Sequence, residues 1–217
     1  IRRGPLAPPE SGTEVFDVDA QAGGSFVTTN FPVDMQINRN RTFASGAVAI
    51  SRLTGGRALD TSSTGTEGTV SYFEFDHQNG IEDNYQGIDG CIYWSFKRAP
   101  SFFDVVAYTG NNTLGRSLPH NLGVTPELAI FKRRDSTDNW VVADSNTGQA
   151  LYLMYDWAAN SGLWDSRFGS ASAFTSTDIT LGSTSNAYIN ENGDYIAYLF
   201  ATLAGVSKVF SVTKSSG

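Results

Sequence analysis

From Glu14 onward, apolar and polar residues alternate in short runs separated by turn chemistry, the period-2 signature of strands half buried in a sheet. In Tyr72-Phe73-Glu74-Phe75-Asp76, Phe73 and Phe75 fall on one face and Glu74 and Asp76 on the other. Leu128, Ile130 and Lys132 share one face of another run, with Ala129, Phe131 and Arg133 opposite. Trp94-Ser95-Phe96-Lys97 and Trp140-Val141-Val142-Ala143 have strand-forming aromatic and β-branched content, and Phe174 to Leu181 alternates less sharply. Gly23-Gly24, Gly55-Gly56, Asn79-Gly80, Asp89-Gly90, Gly110-Asn111-Asn112 and Asn192-Gly193-Asp194 interrupt these runs too often for long helices. The one predicted helix is a turn or two within Met154-Tyr155-Asp156-Trp157-Ala158-Ala159-Asn160, ending before Ser161-Gly162.

The alternating pattern is written twice. Phe16-Asp17-Val18-Asp19-Ala20-Gln21-Ala22-Gly23 returns 87 positions on as Phe103-Asp104-Val105-Val106-Ala107-Tyr108-Thr109-Gly110. Asp34-Met35-Gln36-Ile37-Asn38-Arg39-Asn40-Arg41 corresponds to Glu127–Arg134 at an offset of 93, held as far as Thr54/Thr147 and Gly55/Gly148. Cys91-Ile92-Tyr93-Trp94-Ser95-Phe96 matches Tyr195-Ile196-Ala197-Tyr198-Leu199-Phe200 at an offset of 104. The drift places insertions in the loops of the second copy, because core strands do not absorb them. Six or seven strands per copy predict an all-β fold of two tandem related antiparallel β-sandwich units with jelly-roll or Greek-key connections. The expected divisions are a Pro-rich extended arm over residues 1–13, a first repeat over 14–100 and a second over 101–217. Ser207–Thr213 begins the motif a third time, as a closing strand over an open edge or as the first strand of another repeat.

Composition narrows the functional classes. With 22 acidic and 15 basic residues among 217, and no dense basic tract, a surface for nucleic-acid phosphates is not expected. No apolar stretch reaches the roughly 20 residues of a membrane span. Ile1-Arg2-Arg3-Gly4 carries neither an initiator Met nor an apolar leader, so the chain reads as processed or as a piece of something longer. Cys91, the single cysteine, sits in an apolar run and reads as a small core residue.

The candidates for chemistry are few. His120, in Pro119-His120-Asn121-Leu122-Gly123, is expected to hydrogen-bond its own turn, and His77 to sit at the mouth of a hairpin. A Ser-His-Asp triad has no Gly-x-Ser-x-Gly setting. Glu74 and Asp76 point the same way from one strand, as paired carboxylates for glycoside hydrolysis must, although solvent-side carboxylates are expected on such a strand anyway. Asp135-Ser136-Thr137-Asp138-Asn139 clusters oxygen ligands suited to calcium, yet these are also the residues turns use for their own hydrogen bonds, and no metal is assigned. No phosphate loop opens a helix, and no cofactor is expected. Trp157 and Trp164, with Tyr155 beside them, lie in an insertion the first copy lacks at that length. Aromatics there suit a sugar ring or a protein neighbour, or fold back over an open end of the sheets.

Phe103–Asn111, Leu118–Leu128 with its His-Asn-Leu-Gly-Val-Thr-Pro-Glu, Lys132-Arg133-Arg134, Asn139-Trp140 and Tyr195–Ala201 together resemble a repeated domain of unknown function found in marine tailed phages, over roughly residues 101–213. The first copy resembles it less, lacking the His-Asn-Leu-Gly turn. The resemblance implies a virion protein of tail, fibre or head appendage, and brings no catalytic residues with it. The leading expectation is a non-enzymatic, homo-oligomeric structural protein of the particle. Its partners would be other virion proteins and copies of itself, with the arm Gly4 to Gly12 docked on a neighbour and a role in host attachment. The alternatives are a carbohydrate-binding receptor module for a host-surface glycan, using Trp157, Trp164 and Tyr155, and a polysaccharide-degrading enzyme using Glu74 and Asp76.

Overall fold

The computed structural model describes residues 7–21, 26–42, 46–68, 73–83, 90–155, 158–169, 171–182 and 189–212. The first half supplies β1 (Phe16–Gln21), β2 (Phe26–Thr28), β3 (Met35–Asn40), β4 (Val48–Ser51), β5 (Ala58–Asp60), β6 (Phe73–Glu74), β7 (Gly80–Asp83) and β8 (Cys91–Phe96). The second supplies β9 (Phe103–Gly110), β10 (Arg116–Pro119), β11 (Leu128–Arg133), β12 (Val141–Asp144), β13 (Gln149–Tyr152), the helix α1 (Ser161–Phe168), β14 (Asp178–Leu181) and β15 (Gly193–Phe200). The protein is thus mostly β, built from several antiparallel sheets.

The duplication is visible in the strand order. One five-stranded sheet runs β1-β8-β3-β4-β5 and the other β9-β15-β11-β12-β13, so each strand has its counterpart at the same place. The register agrees as well: Phe16 and Met35 both face Phe96 across the ladder, and Met35 faces Ser51, just as Phe103 and Leu128 face Phe200, and Leu128 faces Asp144. A slip of one residue would turn every apolar row to the wrong face, so conserving the pattern conserves the register. Smaller sheets accompany these, β2-β7-β6 in the first half and β10-β14 in the second.

Three cores result. Val27, Phe31, Ile81 and Tyr93 pack between the first large sheet and its small one. Phe131, Val141, Trp164, Phe168 and Ile179 pack the second large sheet against β10, β14 and α1. The third core joins the halves: Val15, Met35, Ala49 and Leu59 meet Phe103, Val105, Ile196 and Tyr198. Both large sheets are therefore covered on both faces. That is why Tyr195 to Leu199 in β15 is buried at every position and reads as an unbroken apolar run rather than an alternating one.

Two expectations are corrected. The helix begins where it was expected to end. Asn160 has extended backbone, its side chain accepts the Leu163 N–H at 2.7 Å, and its own N–H and C=O bridge Ala150 of β13 at 3.0 and 3.1 Å. It is the N-cap, so Ser161-Gly162 open the helix, and Trp164 and Phe168, four residues apart, form its buried face. Asp156 and Trp157, in the range expected to be helical, lie outside the described residues. The closing strand does not form either among the described residues: Ser207 makes one bridge to Leu203, and residues 208–212 join no ladder there. Val209 N–H donates instead to Thr202 Oγ1 (3.0 Å) and Ser211 Oγ to Asp144 Oδ2 (2.7 Å). At the other end, Pro9 of the arm is buried against the chain's own body.

Candidate functional site

Beside α1 lies an open groove of about 270 Å³, lined by Leu151 and Tyr152 of β13, Ala158, Asn160, Leu163 and Ser166. The Asn160 bridge fixes its floor by tying the helix start to the sheet edge. Tyr152 is anchored from below, its Oη accepting from Arg167 Nη2 at 2.8 Å. Tyr155 stands edge-on to it, ring centroids 5.8 Å apart and planes at 70°, and is 43% exposed. The rim thus offers an aromatic face beside a shallow, mainly apolar trough, suited to stacking on a flat or cyclic ligand.

Of the three aromatics singled out in the sequence, Tyr155 stands beside this groove, against Tyr152. Trp164 is not: at 1% exposure it is enclosed by Phe168 and Phe174, with ring centroids 4.8 and 5.0 Å away. It folds back over the sheet and has no face to give a ligand. Trp157 lies outside the described residues. Glu74 and Asp76 are exposed while Phe73 and Phe75 are buried, as alternation requires, and Glu74 lies opposite Glu82 of β7. Neither lines the groove.

His120 is 7% exposed; its Nδ1 accepts from Leu122 N–H (3.3 Å) and its Nε2 donates to the Thr175 carbonyl (3.2 Å). Burial holds the imidazole below its ordinary pKa, outweighing the Thr175 hydrogen bond and the Asp104 and Asp178 carboxylates. A neutral ring with both nitrogens occupied is a turn brace rather than a base. His77 lies 3.5 Å from Glu82 with its ring edge-on to Phe26. Cys91 is buried, its sulfur accepting from Asn40 Nδ2.

A buried polar cluster at the seam between the halves was not read from the sequence, which considered only its Asp138, as a calcium ligand. Lys132 is 1% exposed, its Nζ donating to the carbonyls of Thr64 (3.2 Å) and Arg133 (2.6 Å). Burial depresses it to about 8, against the pull of Asp138. Asp138 is itself raised to about 6 by burial, and its N–H donates to the Thr64 carbonyl. Arg134 forks onto both oxygens of Glu67 at 2.9 and 3.1 Å, and Trp140 Nε1 donates to the Asp60 carbonyl. Apart from the Lys132–Arg133 bond, each of these ties residues 60–67 of the first half to β11 or the β11–β12 loop of the second. The signal was present in the alternation: Lys132 shares a face with Leu128 and Ile130, and that face is inward.

In the loop considered for calcium, Asp135 Oδ1 is held by Arg133 Nε at 2.9 Å and Asp138 Oδ1 accepts Asn139 N–H. Among the described residues, no group of three or more His, Cys, Asp or Glu side chains is placed to hold a metal ion. Among them, too, no helix is long and apolar enough to cross a membrane.

No curated protein and no solved structure matches the chain. A family model, however, matches residues 89–216, from the strand that ends the first large sheet, through the whole of the second, and past its exit turn. That span is more than half of the sequence, and the chain belongs to the family described as domain of unknown function DUF7483.

Proposed function

We propose that this chain is a non-enzymatic structural protein of a tailed-phage particle, in the tail, a fibre or a capsid appendage, assembled as a homo-oligomer among other virion proteins. The observation that carries the reading is where the polar chemistry goes. His120, Cys91, Lys132, Asp138, Arg134 and Glu67 are spent on bracing turns and joining two copies of one sheet. A doubled framework adds contact area, which assembly uses and a single reaction centre does not. Within this reading each half is a sandwich, its five-stranded sheet over its smaller one with jelly-roll or Greek-key connections, and the arm reaches a neighbouring subunit. The phage setting rests on the resemblance of the second half. Gold-labelled antibody on purified particles tests it: a fixed site of labelling supports the assignment, and unlabelled particles beside free protein in the lysate overturn it.

A second reading has its own observation in the exposed Tyr155, which stands edge-on to Tyr152 of the groove wall. There the chain is a carbohydrate-binding module, contributing to host attachment through a surface glycan. A glycan array gives a signal that Tyr155→Ala abolishes; an array without hits removes the reading.

A further inference from the structure

A second groove, of about 400 Å³, opens where the core that joins the halves reaches the surface. Its lining takes one cross-strand pair from each large sheet: Phe16 opposite Phe96, and Leu128 opposite Phe200. All four side chains are half-buried, and the Phe96 ring centroid lies 4.9 Å from that of Phe16 and 5.9 Å from that of Phe200. Three copies of one turn add to it. Val15 N–H donates to the Gly12 carbonyl (3.2 Å), Phe102 N–H to that of Ala99 (3.2 Å) and Val206 N–H to that of Leu203 (2.9 Å), and Gly12, Phe102 and Val206 all line the groove.

The first two turns launch β1 and β9. The third launches Ser207–Phe210, which forms a further wall. That segment joins no ladder among the described residues, yet it is fastened to its own chain. Ser207 Oγ donates to the Ala201 carbonyl (2.8 Å), Val209 N–H to Thr202 Oγ1 (3.0 Å) and, just beyond, Ser211 Oγ to Asp144 Oδ2 (2.7 Å). The trough is therefore formed in advance of any ligand, which spares binding the cost of ordering it. Phe210 is held in this wall 70% exposed, an aromatic surface that an apolar occupant would cover.

Polar groups on the lining are few. The Ser207 hydroxyl is used within its own turn, donating to Ala201 and accepting from Leu203 N–H at 3.1 Å. Lys208, which is exposed, is the only charged residue among those that line the groove. Glu127, next to Leu128, is engaged elsewhere, its two oxygens accepting from Thr202 N–H (3.3 Å) and Oγ1 (2.8 Å). An apolar trough with one cation at its rim complements an apolar chain that ends in an anion.

We infer that this groove binds a single-chain aliphatic carboxylate, its chain lying on Phe16, Phe96, Phe200 and Phe210 and its carboxylate at Lys208. The inference does not depend on the particle or the homo-oligomer. The probe is decanoate, with decan-1-ol as its uncharged counterpart, each titrated into the full chain by calorimetry at several temperatures. The expected result is one decanoate per chain with a negative heat-capacity change, the mark of apolar burial. Phe210→Ala should weaken both probes roughly tenfold, and Lys208→Glu should weaken decanoate roughly fivefold and leave decan-1-ol as it was. Both side chains are exposed, so the melting temperature should not move in either variant. No heat from decanoate up to millimolar concentration overturns the site. Uptake indifferent to Phe210→Ala places the ligand elsewhere, and uptake indifferent to Lys208→Glu removes the carboxylate's partner; either overturns the proposal. A chain that associates through this face, its mass reduced by Phe210→Ala and no decanoate taken up, gives the groove to a second copy, which overturns the ligand and supports the homo-oligomer.

Discussion

Lys132 gives the sharpest quantitative expectation. Its ammonium is buried between the two large sheets and bonded to two carbonyls, yet its pKa falls from 10.5 to about 8, so burial costs the charge more than those bonds return. A group whose folded pKa is depressed binds fewer protons when folded, and stability rises with pH between the folded and unfolded values. The window runs from about 8 to 10.5. Between pH 7.5 and 10 most of the shift is recovered, about 2 kcal/mol at 1.36 kcal/mol per unit. Buried tyrosines oppose this near the upper end, since burial raises Tyr195 to about 12 and pushes Tyr198 well above the ordinary tyrosine value, and both lose stability as the pH rises past that ordinary value. The comparison is therefore made against Lys132→Met, which retains the tyrosines and fills a similar volume. Urea titrations across the window should show the wild type gaining about 2 kcal/mol on the variant, mostly above pH 8. Parallel curves would refute the reasoning, and would mean that the ammonium is as well solvated at the seam as in water.

The other expectations are more local. Trp164→Ala should destabilise the chain by about 3–5 kcal/mol in chemical denaturation, because it empties a cluster of three aromatic rings; a cost below about 1 kcal/mol would place the ring at the surface. Asn160→Ala removes both the cap and part of the groove's frame, and should cost about 1 kcal/mol with loss of helical circular dichroism. An NMR titration should put His120 below its ordinary 6.5, and the stability it gives, present in full above 6.5, should fall away as pH drops; a midpoint above 6.5 would contradict the brace.

How far the sequence disclosed this molecule depended on how local the cause was. The duplication was legible because side-chain alternation fixes register, so Phe16 and Phe103, Met35 and Leu128, and Phe96 and Phe200 had to occupy equivalent places. The helix was misplaced because Asn160 was read as the end of an alanine-containing run, when its side chain and its bridge to Ala150 make it a beginning. The tail was misread because a third copy of a strand-launching turn does not by itself say where the strand goes. Lys132 and Trp164 were decided by neighbours distant in sequence: the loop at Thr64 comes over the lysine, and Phe174 closes over the tryptophan. Of the groove itself no lining residue was foreseen, only Tyr155 beside its Tyr152, since the walls come from β13 and the helix, which the alternation alone does not bring together.

The core that joins the halves has a consequence for each half alone. Val15 and Phe102, Phe16 and Phe103, Ile37 and Ile130, and Phe96 and Phe200 are equivalent pairs, and all eight belong to that one core. Each large sheet thus meets the other through the same rows of residues, as identical subunits do about a twofold axis. A single half, made alone, would present those rows to water and is expected to find a second molecule of itself; light scattering on that fragment would register the pairing as a doubled mass. In the present chain covalent linkage holds that pairing together at every concentration.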